Sequence, residues 1–139
     1  MPPRALFWML LLIAVSPVQS CLAKEQLPGP YPADVLRVID GDTVEVRVHL
    51  WPGLSQVTHI RLRDVNTPEL HSRCHTQRDI AWAAKDFLTN LLAGQTVHVS
   101  QVADDKYGGR FDAYMILSDG QNVSQLIAAS GLTAHPACD

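Results

Sequence analysis

The segment VIDGDTVEV, residues 38–46, sets two carboxylates, Asp40 and Asp42, on either side of one glycine. A second segment, RDVNTPEL, supplies Asn66, Thr67 and Glu69. Arg61 stands just before it, and Arg110 follows a glycine pair much later in the chain. Carboxylate and carbonyl oxygens hold a hard divalent cation. A further carboxylate positions water as a general base. Arginines grip phosphate in bidentate fashion and neutralise charge that grows in a transition state. Together these groups suit phosphodiester hydrolysis. Singly, each has a plainer reading. Asp-Gly-Asp is ordinary turn chemistry, since both residue types tolerate the backbone angles of a tight reversal. Loop acids and strand arginines are ordinarily solvated.

The elements that must position these residues follow from periodicity. Val44, Val46, Val48 and Leu50 alternate with Thr43, Glu45, Arg47 and His49, the pattern of a half-buried strand. WPGLSQ reads as a turn, and VTHIRLRDV alternates again. Three strands from about Val35 to Val65 form an antiparallel meander. Ile80, Ala83, Ala84, Phe87, Leu88, Leu91 and Leu92 recur at helical spacing. Thr76 with Asp79 predicts a capping box, and Gly94 a stop. Trp82 and Phe87 are expected to be core or packing residues rather than platforms for stacking bases. TVHVSQV and RFDAYMIL are strands flanking the loop ADDKYGG. Asn122 caps a second short helix ended by Gly131; Asn122-Val123-Ser124 also fits a glycosylation sequon. The order β-β-β-α-β-β-α is an α+β fold, a small β-barrel with packed helices.

The N-terminus stands apart. Arg4 precedes ALFWMLLLIAV, an apolar run of eleven residues, short for a bilayer span and suited to a signal-peptide core. Cleavage after Ser20 or after Ala23 satisfies the small-residue rule. VQSC is a poor lipoprotein box that would acylate Cys21, and an uncleaved anchor is a third reading. The chain therefore divides into a leader (residues 1–23), a Pro- and Gly-rich lead-in expected to be extended or loose (24–34) and one domain (35–139). Export to the periplasm or the medium follows from the leader. With Cys21 removed or lipidated, Cys74 and Cys138 remain, either as a disulfide or as two thiols that never meet. Loss of Arg4 leaves ten basic residues against fourteen acidic ones. A protein that coats nucleic acid is normally basic, so any polyanion must be handled at a local site. His71, Cys74 and His75 fit no standard zinc spacing.

VIDGDTVEV, IRLRDVNTPEL, DKYGGRFDAY and VSQLIAASGLTAHP resemble, in order, four signature blocks of the staphylococcal-nuclease-like (thermonuclease) family. The resemblance spans about residues 35–136. It implies a five-stranded OB-fold barrel and calcium-dependent cleavage of DNA and RNA with little sequence preference, water attacking phosphorus and the 5′-oxygen leaving. Carried over by position, Asp42 matches a metal carboxylate and Asp40 the acid that supports it. Thr67 matches a carbonyl ligand, and Glu69 the proposed general base. Arg61 and Arg110 match the phosphate-binding arginines, and Lys106 and Tyr107 line the nucleotide pocket. Three departures stand out. A second metal carboxylate falls on Asn66, which offers an uncharged amide oxygen. YGGR carries one residue more than the family's YGR. The third helix and the aromatic residue that some relatives carry beyond this point are missing. A catalytically inert barrel that binds nucleic acid or protein is the competing reading. A monomer with no stable protein partner is expected, touching membrane only through a lipidated Cys21.

Overall fold

The computed structural model describes residues 24–138. The apolar leader, Cys21 and Asp139 lie outside them. Six strands, β1 (Gln26–Leu27), β2 (Tyr31–Asp40), β3 (Thr43–Trp51), β4 (Leu54–Leu62), β5 (Thr96–Asp104) and β6 (Arg110–Ile116), form one sheet in the order β1-β5-β2-β3-β4-β6. Pairing of β5 with β6 closes β2–β6 into a five-stranded barrel. All contacts are antiparallel except β4–β6, which is parallel. Helix α1 (His75–Leu92) connects β4 to β5, and α2 (Val123–Ala129) follows β6. The OB-fold barrel expected from the sequence is therefore present.

The alternation does what it predicts. Val44, Val46, Ile60, Leu62, Val97, Val99 and Met115 point inward and are at most 1% exposed. Leu88 and Leu92 of α1 and Ile127 of α2 join the same core. The opposite end of the β3–β4 hairpin leaves Leu50, Trp51, Leu54 and Val57 exposed.

Four details differ from the sequence reading. The lead-in is not loose: β1 pairs with β5, and β2 begins at Tyr31, where Tyr31 to Asp34 pair with Val99 to Thr96. Prolines 28, 30 and 32 had masked this, although Pro32 sits near the strand's beginning, where proline is tolerated. No capping box forms at Thr76. The helix starts one residue after Cys74, and Asp79 pairs with His75 at 3.0 Å. The chain before it is fastened instead by the Cys74–Cys138 disulfide and by Ser72, whose hydroxyl accepts from the Cys74 N–H at 3.2 Å. Trp82 is 49% exposed with Lys85 over its ring, while Phe87 packs against the core. Asn122 caps α2 as expected, accepting from the Ser124 N–H at 2.9 Å.

The fourth difference concerns Gly41. Its φ is not among the positive ones, so the turn does not need a left-handed residue there. A Cβ at this position would lie 2.6 Å from the Ala84 Cβ and 2.6 Å from the Thr67 hydroxyl. Glycine is required because α1 and the loop after β4 press directly on the turn. Gly41→Ala should therefore destabilise the protein by about 1–3 kcal/mol through overpacking. Denaturant unfolding measures it, and an unchanged midpoint would refute the close-packing argument.

Candidate active site

Two bulges in β2, between Val35 and Arg37 and between Val38 and Asp40, bend the strand just before the turn. They bring Asp40 and Asp42 to one end of the barrel. The Asp40 carboxylate accepts the Asp42 N–H at 3.1 Å, closing the turn. Asp42 itself is only 7% exposed. Its two oxygens accept from the Thr43 hydroxyl and the Thr67 N–H, both at 3.1 Å. Arg61 approaches the same carboxylate at 3.4 Å. Burial pushes the Asp42 carboxyl up to about 6, reinforced by the neighbouring Asp40 and opposed by the Thr67 N–H and Arg61.

Arg61 also donates to the Asn66 amide oxygen at 2.9 Å. Thr67 is buried beneath the cleft, and Glu69 is exposed on its wall. Arg110 is the first residue of β6, paired across from His59. Because β4 and β6 run parallel in register, with Arg61 opposite Asp112, Arg61 and Arg110 share one sheet face. With the additional glycine of YGGR, Arg110 still lines the cleft. Gly108 and Gly109 adopt φ of +64° and +70°, and the loop is closed by the Asp105 N–H donating to the Arg110 carbonyl at 3.2 Å. The extra residue is absorbed in the turn.

Asp40, Asp42, Arg61, Asn66, Glu69, Lys106, Tyr107 and Arg110 all line one cleft of about 870 Å³. Thr67 alone among the expected site residues lies below its surface. Lys106 and Arg110 flank the exposed Tyr107 ring, 4.7 Å and 5.1 Å from its centroid.

The sequence reading missed Asp105. Its carboxylate is buried and accepts from the Arg110 Nε. Burial works to raise the Asp105 carboxyl, but Arg110 and the Lys106 N–H outweigh it and hold it low. One arginine nitrogen is thus spent on orientation, leaving the terminal fork free to face the cleft. Also missed was Asp64, held at φ 59° with its carboxylate accepting from the Tyr114 hydroxyl. The positive φ of an aspartate leaves little trace in sequence. Asp105 left a faint one, as the second acid of a pair beside Lys-Tyr.

A family model described as staphylococcal nuclease homologue matches residues 59–138. The chain belongs to this family. It is 33% identical over 97 residues, 70% of its length, to an uncharacterized endonuclease of Escherichia coli O157:H7, and equally so to one of Escherichia coli. It is 29% identical over 113 residues to an uncharacterized protein of Methanocaldococcus jannaschii. The chain spans 56% of the two Escherichia coli relatives and 52% of the archaeal one.

The burial of Asp42 has a testable cost. Its folded pKa, about 6, lies above the ordinary 3.8, so the folded state binds the proton more tightly. Stability therefore falls as pH rises through this window. The neutral Asp42→Asn should stabilise the metal-free protein by roughly 1–3 kcal/mol above pH 7, with the gain vanishing below about pH 4. Thermal unfolding across pH checks it; a gain that persists in acid would show that the charge is not its source.

Proposed function

We propose that this chain is an exported, metal-dependent nuclease that hydrolyses phosphodiester bonds of DNA and RNA with little sequence preference. The observation that carries the reading is the convergence of Asp42, Arg61, Glu69 and Arg110 on one cleft. The endonuclease names of two relatives agree with it. The Cys74–Cys138 bridge fits an oxidising compartment.

The donor set suits a hard cation. Among the described residues no three His, Cys, Asp or Glu side chains converge tightly enough to hold a metal alone. A cation here draws on the Asp42 carboxylate, the Asn66 amide oxygen and the Thr67 carbonyl, supported by Asp40, with water completing the shell. All are oxygen donors, as calcium prefers. The raised Asp42 carboxyl marks a buried negative site that Arg61 compensates only in part. The bound ion would supply positive charge beside the phosphate. The cleft lining counts five basic side chains (Lys24, Arg61, Arg63, Lys106, Arg110) against six acidic ones (Asp40, Asp42, Asp64, Glu69, Asp105, Asp112). It is no positive groove, so this added charge matters.

The chain's own residues divide the remaining tasks. Arg61 and Arg110, on one sheet face, clamp the non-bridging phosphate oxygens and stabilise charge there as water attacks. Asp105 keeps Arg110 aimed into the cleft. Glu69, exposed on the wall, takes the proton of the attacking water. Lys106 and Tyr107, which line the cleft, would contact the nucleotide. The 5′-oxygen is the leaving group.

Glu69→Gln should leave nucleic-acid binding near wild type and slow cleavage by roughly 10²–10⁴-fold. Plasmid and single-stranded RNA assays, with calcium and with chelator, decide; cleavage at the wild-type rate removes Glu69 from the role of base.

The uncharged Asn66 weakens the ion site. Restoring a carboxylate should tighten calcium by roughly ten- to hundredfold, a net gain of about 1–3 kcal/mol after desolvation is set against Coulomb attraction. Asn66→Asp should thus lower the calcium concentration for half-maximal cleavage. An unchanged requirement would place residue 66 away from the ion. No cleavage by either protein at any calcium concentration would favour the inert binding module.

A further inference from the structure

After α2 the chain runs back to the start of α1, ending in the Cys74–Cys138 disulfide. A second tie holds the same tail: the Gln77 amide donates to the Pro136 carbonyl at 2.8 Å. Between these ties and α2 lies His135, an exposed residue that none of the site assignments used.

The His135 ring is oriented by its own backbone. Its Nδ1 lies 2.8 Å from the Thr133 carbonyl, which can only accept, so Nδ1 carries the hydrogen. In the neutral ring Nε2 is then a lone-pair acceptor. It faces the Asn66 Nδ2 at 3.5 Å. On the other side of the same amide, the Asn66 oxygen accepts from Arg61 at 2.9 Å. A flipped amide would set N–H against the guanidinium N–H and oxygen against the imidazole lone pair. Both contacts would be repulsive, so the two neighbours together select one orientation.

We propose that His135 is a positioning residue, delivered by a disulfide-fastened strap, that fixes the Asn66 amide with its oxygen toward Arg61 and the cleft. An aspartate at position 66 would need no such help, because its two oxygens are equivalent. An asparagine does, and the strap provides it. Reduction of the disulfide removes one of the strap's two ties and loosens the hold on the amide, which links the redox state of the bridge to the geometry of the cleft.

The kinetic part of the test rests on the nuclease reading, whereas the spectroscopic part does not. In metal-free oxidised protein, the Asn66 carboxamide resonances should shift on His135→Ala and shift the same way on reduction with dithiothreitol. His135→Gln, which keeps an acceptor but lacks the ring current of imidazole, should bring the Asn66 carboxamide shifts part of the way back and restore kcat/KM. The exposed histidine can be removed without unfolding the barrel, and an unchanged thermal midpoint verifies that. In cleavage assays His135→Ala should lower kcat/KM by roughly three- to tenfold and have no further effect in an Asn66→Ala background, the signature of coupled neighbours. Unmoved Asn66 resonances in His135→Ala, or effects of the two substitutions that simply multiply, would overturn the proposal. Absence of cleavage by every protein would sink the nuclease reading alone, and the resonances would still decide the strap.

Discussion

The cleft end of the barrel is arranged around one buried carboxylate, whose charge the fold accommodates at a cost in stability. Asp42 is drawn from water at the β2–β3 turn, and the groups that make this tolerable come from elsewhere in the fold: the Thr67 N–H from the loop after β4, and Arg61 from β4 itself. Each partner must be in place, because an unpaired buried charge is costly. Gly41 lets the turn sit against Ala84 of α1 and the Thr67 side chain. Turn, loop and helix are thereby locked around a single anion.

A second buried carboxylate lies in the same cleft and shows the contrast. Asp105 has an arginine to itself and is held low; Asp42 shares Arg61 with Asn66 and is pushed up. The same fold has satisfied one acid and left the other short of positive charge. That asymmetry separates the two: one orients an arginine, and the other keeps a charge that its partners only partly compensate. Placing Asn66 beside Asp42 softens the demand, since a second carboxylate there would deepen the repulsion in the absence of an ion.

Much of this was legible in the chain. Alternation in TVEVRVHL and VTHIRLRDV placed Val44, Val46, Ile60 and Leu62 inside, and the barrel's order followed. Asp42 at the β2–β3 turn and Arg61, Asn66 and Glu69 at or just past the end of β4 made the convergence readable, because β3 and β4 pair at that end. What escaped depended on contacts between distant segments or on side-chain direction in loops. Asn66 and His135 are 69 residues apart. No periodicity encodes such meetings. Trp82 fell on the wrong face because apolar character alone does not say which stripe of a helix is covered. Tyr31 to Asp34 were hidden by prolines that ordinarily mark a loop.

The parallel pairing of β4 with β6 has a consequence for how the molecule comes into being. The β3–β4 hairpin is local and forms without much loss of chain freedom. Joining β6 to β4 must close a segment that contains all of α1 and β5, a high-contact-order step that is entropically late. Arg110, with Asp105 behind it, reaches the cleft only then, and the segment carrying His135 is fastened to Cys74 through Cys138. A nascent or truncated chain therefore holds Asp42 and Arg61 without their counterparts. The constellation exists only in the closed barrel, so its members assemble together when β6 docks on β4.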